Sequence, residues 1–310
     1  MSQDQKSSNF KEESLMVEQR SISIVSSSNE AFVPHLATLF LSLLTTKQAN
    51  TTFHFYVIDD DISLRSKFLL NRTVGEYNAR ISYVTIDPTD FSGAVESDRI
   101  PQTAYYRISI PNLLKENKRA IYMDCDMITL ENIEALWEAD LGDQLLGAVE
   151  DAGFHDRLEK MGIESETDLY FNSGLMVMDL EKWREEKITE KVLGFIEKNP
   201  GKLTFHDQDA LNAILHDRWL ELDPRWNAQT YMMLQEKEHP TIQGQAKWDE
   251  AIKKPAVIHF CGHAKPWNAG SNHPFKENYF DIREKTFFPI KKRNQITLRS
   301  NKTNTTIKER

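Results

Sequence analysis

Two carboxylates separated by one residue, Asp124 and Asp126, close the run Arg119-Ala120-Ile121-Tyr122-Met123. That run is short, apolar and aromatic, the pattern of a buried strand. Buried parallel strands deliver ligand-binding groups at their carboxyl ends. With a side-chain period of two, both acids fall on one side, where a small bend lets them reach one ion. Hard divalent cations take oxygen ligands, and Mg²⁺ or Mn²⁺ commonly combines one or two carboxylates with substrate phosphate. Two solvated acids opening a turn have the same local sequence, so the rest of the chain must separate the readings.

The second set of chemically able residues is Ile258-His259-Phe260-Cys261-Gly262-His263-Ala264-Lys265-Pro266-Trp267. His259 at a strand end offers a metal-ligating imidazole, and Gly262 lets a phosphate approach the backbone. Lys265 offers that phosphate a compact positive charge. A core histidine followed by an ordinary turn is the plainer alternative, and His263 reads as a loop residue. Other predicted strands also end in small polar or acidic residues: Ser26 to Asn29, Asp59 to Asp61, and Glu150 with Asp151. With the carboxylate pair these make four strand ends at one rim, which points to a shared ligand site. Strand alternation turns Cys125 away from the ion, and Cys125 and Cys261 both read as reduced, structural thiols.

The elements that must position these groups alternate. Ser21 to Val25, Phe53 to Ile58, Arg80 to Ile86 and Gln144 to Val149 read as strands, with Asp87-Pro88 closing the third. Helices are expected after Asn29, with Pro34 in a first turn, and over Ile62 to Tyr77 with Leu64, Phe68 and Leu69 on one side. Tyr105 to Leu114 reads as a helix in front of the central strand. This alternation predicts a parallel sheet covered on both faces. Beyond about residue 152 the pattern loosens. Leu175 to Met178 and Val257 to Phe260 read as strands, and a helix carries Trp183, Ile188, Val192 and Phe195. Another helix spans Ala210 to Leu215 with Asp207 as N-cap. Residues 225 to 255 show little periodicity.

With 310 residues and a 40% hydrophobic fraction the chain can bury a sizeable core. A net charge of -9 argues against nucleic acid as partner. Residues 291 to 310 run the other way, with seven cations and one anion, Glu309. That basic tail reads as a solvated end, with weak attachment to anionic lipid as the alternative. The first twenty residues are polar and lack an apolar signal-peptide core, and no stretch is long enough to span a bilayer. The expectation is a cytoplasmic protein, with the tail offering peripheral contact to the inner face of the cell membrane. The Asn-X-Thr triplets at Asn50, Asn71, Asn301 and Asn304 are then chance matches.

Five motifs in order resemble glycosyltransferase family 8, the retaining sugar-nucleotide transferases, from about Ser21 to Trp267. They are Ala104-Tyr105-Tyr106-Arg107, Tyr122-Met123-Asp124-Cys125-Asp126, Phe171-Asn172-Ser173-Gly174, Asp207-Gln208-Asp209 and the stretch from His259 to Trp267. The resemblance implies an α/β, GT-A (Rossmann-like) fold, a mixed sheet flanked by helices, of the nucleotide-diphospho-sugar transferase type. It implies one domain over 21–285, with a nucleotide and metal half to about 151 and a sugar and acceptor half beyond. A leader (1–20) and a basic tail (286–310) flank it.

A UDP-hexose donor and a glycan or glycosylated acceptor are implied, with Mn²⁺ or Mg²⁺ held by Asp124, Asp126 and His259. Arg107 would face the donor sugar and diphosphate, while Asp151, Asn172, Asp207 and Gln208 line the sugar pocket. Gly262 and Lys265 would contact the diphosphate, and Cys125 would lie against the donor. The family's first strand normally ends in an acid that contacts uracil; here Ser27 stands there, with Asn29 nearby and Val25 offering backbone groups. Gln208 would lie beneath the anomeric carbon, and a neutral amide is a poor nucleophile, which argues against a covalent intermediate. An aspartate-based phosphohydrolase would leave the residues from His259 to Lys265 unexplained. A non-catalytic or self-glycosylating sugar-nucleotide-binding protein, of the general stress type, is the remaining alternative.

Overall fold

The computed structural model describes residues 19–86, 102–262 and 264–290, with side chains from Tyr105 onward in the second segment. The leader through residue 18, Asp87 and Pro88, the Ala104 side chain, His263 and the segment 291–310 lie outside the described residues.

Ten strands form among the described residues. They are β1 (Arg20–Asn29), β2 (Thr51–Asp60), β3 (Arg80–Val84), β4 (Arg119–Met123), β5 (Met127–Thr129), β6 (Leu146–Glu150), β7 (Phe171–Asp179), β8 (Trp219–Glu221), β9 (Ala228–Gln229) and β10 (Val257–His259). Seven make the main sheet, in the order β3-β2-β1-β4-β7-β6-β8. β7 runs antiparallel to β4 and β6, and the other neighbours are parallel. The sheet is therefore mixed, and the parallel sheet read from periodicity is corrected. The connection 151–170 carries only the short helix Arg157–Met161 and stays at one rim, so β7 starts where β6 ends.

Alternation along the strands builds both faces. Ile22, Ile24, Ile121 and Met123 pack under helices Val33–Thr46 and Leu64–Gly75. Val25, Ala120 and Tyr122 face the opposite way, under helices Leu180–Glu185, Ile188–Lys198 and His206–Leu215. Each fully buried Leu, Ile or Phe there is worth about 1.5–3 kcal/mol. Ser63 caps the Leu64–Gly75 helix, its Oγ accepting from the Ser66 N–H at 3.1 Å. Leu64 and Phe68, expected on its apolar side, are 85% and 59% exposed. Leu70 and Val74 are the residues that bury, because the packing face is set by β2 and the first helix rather than by local apolar content.

Strand order reverses between β1 and β4, which opens a crevice at their carboxyl ends. Two further features aim residues into it. The register of β6 on β7 slips between the pairs Ala148–Met176 and Val149–Asn172, and the slack in β7 carries Ser173 and Gly174 toward the rim. A small second sheet, β5-β10-β9, pairs His259 of β10 with Met127, just beyond Asp126.

Residues 225–255, irregular by sequence, hold β9, the short helix Thr230–Met233 and the helix Ile242–Lys253. The last of these buries Trp248 and Ala251, spaced too sparsely to register as a periodic face. Tyr105 lies in a 3₁₀ segment, Gln102–Ser109, followed by one α-helical turn, rather than in a single α-helix.

Candidate active site

Asp124 continues the alternation of Tyr122, whose hydroxyl donates to Asp124 Oδ1 at 2.8 Å. The Asp124 N–H donates to the Gly174 carbonyl at 2.8 Å, fixing the turn against β7. The ligand atoms of Asp124, Asp126 and His259 lie within 4.8 Å of one another. His259 Nε2 is 3.4 Å from Asp126 Oδ1 and 3.9 Å from Asp124 Oδ2.

The protonation of that imidazole follows from a chain of fixed donors and acceptors. Asp151 Oδ2 accepts from Asn172 Nδ2 at 2.8 Å and from Gln208 Nε2 at 3.0 Å. Asn172 therefore presents Oδ1 to Asn227 Nδ2, at 2.9 Å. Asn227 in turn presents Oδ1 to His259 Nδ1, also at 2.9 Å, so the ring proton sits on Nδ1. The Nε2 lone pair is left facing the two carboxylates. Two carboxylates and one imidazole so oriented fit a divalent cation of the Mn²⁺ or Mg²⁺ type.

Neither Asn227 nor Gln229 was singled out by sequence. Gln229 accepts from the Ala152 N–H at 2.9 Å and donates to the Glu150 carbonyl at 2.8 Å, pinning the loop that carries Asp151. Both amides are fully buried. Asn227→Leu frees the His259 tautomer and should weaken metal affinity by about 10–100-fold, as expected for the loss of an orienting partner. Calorimetric titration with Mn²⁺ measures this, and unchanged affinity would remove Asn227 from that role.

Arg107 crosses the site. Its Nε is 2.9 Å from Asp207 Oδ2, its Nη2 is 3.1 Å from Asp124 Oδ1, and its Nη1 donates to the Ser173 carbonyl at 2.8 Å. The guanidinium lies 4.6 Å from the centroid of the Tyr122 ring. Burial disfavours the Arg107 charge, but Asp124 and Asp207 outweigh it and keep the group cationic. Asp207 is not the N-cap expected of it. The acceptor for the N–H groups of Thr204 and Phe205 is Asp209 Oδ2, at 2.6 and 2.7 Å. Burial raises the Asp207 carboxyl to about 6, with Arg107 opposing and Asp124 adding to the rise.

Around these groups lies a cavity of about 840 Å³. Ser27, Asn29, Arg107, Asp124, Cys125, Asp126, Asp151, Asn172, Asp207, Gln208, His259, Gly262 and Lys265 all line it. Gly262 takes a left-handed φ of 69°, which a glycine adopts without strain. Lys265 pairs with Asp126. Burial pushes the Asp126 carboxyl up, yet the Lys265 ammonium prevails and holds it well below its ordinary range.

Val25 is fully buried in the core, away from the cavity lining. Two expectations are corrected. Asp59 spends its oxygens on the Ile62 N–H, at 2.9 Å, and on Lys67, as a turn acid does. Cys125 does not turn away from the site; it lines the cavity, because the chain turns at Cys125 and Asp126, and burial pushes its thiol well up. Neither cysteine is in a disulfide.

Glu150, also at the rim, faces His155 Nδ1 at 2.9 Å and His239 Nε2 at 3.0 Å. Here the tautomer argues against an ion. His239 Nδ1 accepts from the Thr241 N–H at 3.0 Å, so the proton is on Nε2, where a metal would need a lone pair. The cluster is a hydrogen-bonded clasp between the 150–155 loop and the segment before Ile242–Lys253.

A crevice at the reversal point of a mixed α/β sheet, with paired carboxylates at a strand end, fits a GT-A transferase, and the comparisons agree. The sequence profile of glycosyl transferase family 8 matches residues 23–270, and the chain belongs to that family. It is a glycosyltransferase enzyme. General stress protein A of Bacillus subtilis is 46% identical over 261 residues, spanning 83% of this chain and 91% of that protein. Glycosyltransferase GlyB of Streptococcus pneumoniae is 30% identical over 261 residues, spanning 82% of this chain and 60% of that protein. The galactosyltransferase LgtC, solved with donor and acceptor sugar analogs, superposes with a TM-score of 0.79 at 23% identity. The match covers 87% of this chain and 98% of LgtC, which shows a common fold. No helix among the described residues is long and apolar enough to cross a membrane.

Proposed function

We propose that this chain is a metal-dependent, retaining transferase that moves galactose or glucose from a UDP-sugar to a glycan, lipid-linked or protein-linked sugar acceptor. The observation that carries the reading is the hydrogen-bond chain Gln208–Asp151–Asn172–Asn227–His259, which couples the sugar-facing residues to the imidazole of the metal set. A protein that merely bound a nucleotide would not need those two ends held in register.

Asp124, Asp126 and His259 would hold the ion. When bound, a divalent cation neutralises charge on the departing diphosphate as a Lewis acid. Lys265, beside Asp126, adds a second positive charge on that side, and the backbone at Gly262 leaves room for phosphate oxygens. Asp151, Asn172 and Asp207 line the sugar side, where polar and anionic groups stabilise an oxocarbenium-like carbon. Gln208 Oε1 accepts from the Ser173 N–H at 3.0 Å, so its oxygen is engaged as well as weakly nucleophilic. Direct attack from the face of departure fits this better than a glycosyl-enzyme intermediate. Ser27 and Asn29 line the cavity at the end of β1, where the nucleobase would rest.

The test is nucleotide release from a panel of UDP-sugars with Mn²⁺ and after chelation. Release from one hexose donor, lost on chelation, is expected; absence of UDP binding would overturn the reading. A pH dependence follows as well. Below about 6 Asp207 holds a proton and Arg107 loses one of its two anionic partners, so turnover should fall as pH drops through that value. Asp207→Asn should flatten this limb while lowering turnover throughout, and an unchanged limb would assign it to another group.

A further inference from the structure

Ser26 and Ser27, at the end of β1, both bond across to β4. The backbone ladder between these strands closes after two pairs, Ile24 with Ile121 and Val25 with Tyr122, and the strands then part where the crevice opens. Side chains carry the contact further. Ser26 Oγ donates to the Met123 carbonyl at 2.6 Å, and Ser27 Oγ meets the Tyr122 hydroxyl at 3.2 Å. Ser26, Ser27 and Tyr122 are all buried.

Proton counting fixes the direction of these bonds. A phenol has one proton to donate, and a carboxylate has none. The Tyr122 hydroxyl spends its proton on Asp124 Oδ1 at 2.8 Å, so Ser27 is the donor at the 3.2 Å contact. Asp124 Oδ1 is also 3.1 Å from Arg107 Nη2. With two donors on Oδ1, the carboxylate is held with Oδ2 turned toward His259 Nε2, 3.9 Å away. The Tyr122 ring has a contact of its own, the Arg107 guanidinium 4.6 Å from its centroid, so ring and hydroxyl can be tested apart.

We propose that Ser27 and Tyr122 are positioning residues for the ion: the relay from Ser27 through Tyr122 to Asp124 commits Oδ1 to the protein and offers only Oδ2 to a divalent cation. This rests on the metal-dependent reading above. Partners behind a ligand set its orientation and its basicity, and Tyr122 does so from the strand that carries Asp124 itself. The same relay requires a neutral side chain at position 27. One phenol proton serves one carboxylate, so an acid at 27 would draw that proton away from Asp124 and let Oδ1 turn. Serine, which donates to the phenol oxygen and asks for no proton, leaves the Tyr122–Asp124 bond intact.

The test is calorimetric titration of the full chain with Mn²⁺, alongside thermal unfolding curves. Tyr122→Phe keeps the ring and removes the hydroxyl. Its Mn²⁺ affinity should fall about tenfold, the lower end for losing an orienting partner, because Arg107 still holds Oδ1. Ser27→Ala should leave the affinity near its native value, since Tyr122 keeps its own bond to Asp124. Ser27→Asp should weaken binding about as much as Tyr122→Phe, although a further anion beside the ion would by charge alone tighten it. Ser27→Asp added to Tyr122→Phe should cause no further fall, because the contested proton is already gone. A merely structural role would lower the unfolding temperature without this pattern of signs. Native affinity in Tyr122→Phe, or tighter binding in Ser27→Asp, overturns the relay and leaves the metal-dependent reading standing. Should Tyr122→Phe fail to fold, the Ser27→Asp affinity decides alone. Absence of Mn²⁺ binding by the native chain overturns both.

Discussion

Asp126→Ala should lower metal-dependent nucleotide release on the order of a thousandfold, the upper range for removing one charge-stabilising group from an active site. On the proposed reading Asp126 joins two functions. It faces His259 Nε2 at 3.4 Å and pairs with Lys265, so its loss would remove an ion ligand and release the cation proposed to face the phosphates. The fold should survive. The Lys265 side chain is 20% exposed, enough for its ammonium to turn toward water once its partner is gone. Nucleotide release with Mn²⁺ reads the first effect, and a thermal unfolding curve reads the second. Native turnover in the variant would strike Asp126 from the ligand set. Asp126→Asn separates charge from shape: retained structure with lost metal dependence assigns the effect to the carboxylate charge.

Gly174→Ala should be nearly as damaging, at a position with no ionisable group. A Cβ there would lie 2.5 Å from His259 Cε1, 2.9 Å from Asp124 Oδ2 and 3.0 Å from Asn172 Oδ1. None of the three can yield freely. His259 is held by Asn227, Asp124 by Tyr122 and Arg107, and Asn172 by Asp151. One methyl group therefore pushes on two of the proposed ion ligands and on the chain that orients one of them. Displacements near 1 Å at a catalytic site can cost about a hundredfold in rate, which is the expected loss in turnover. Overpacking should also lower stability by about 1–3 kcal/mol. Turnover and Mn²⁺ affinity measured together decide the matter. A variant with native affinity and rate would mean that β7 relaxes at its register slip and that the close approach is dispensable.

Residues that act where they stand in the chain were legible beforehand. Asp124 and Asp126 announce themselves because a buried strand, a period of two and an abrupt pair of charges are all local. His259 was weaker, a single imidazole at a strand end, and only its company in a longer motif distinguished it from a core histidine. Asp59 carried the same local signal as the carboxylate pair and proved to be turn chemistry. Acids end strands for both reasons, and sequence does not say which strand end faces a neighbour. Phe68 failed in a related way: helical spacing gives a period, and the packing partner decides which phase of it is buried.

The strand that carries the two carboxylates, the order of the motifs and, through them, the family and its α/β frame are all written locally in the chain. How those motifs operate together depends on contacts between distant segments. Asn227 meets Asn172 across 55 residues and His259 across 32, and its amide has a definite orientation only because both partners are in place. Gly174 stands where β7 slips against β6, with His259 and Asp124 too near for a Cβ, and the register slip that places it there is recorded in no residue type. Hydrogen-bond direction and steric clearance are properties of pairs that the chain brings together late, and a list of residues holds only one member of each pair at a time.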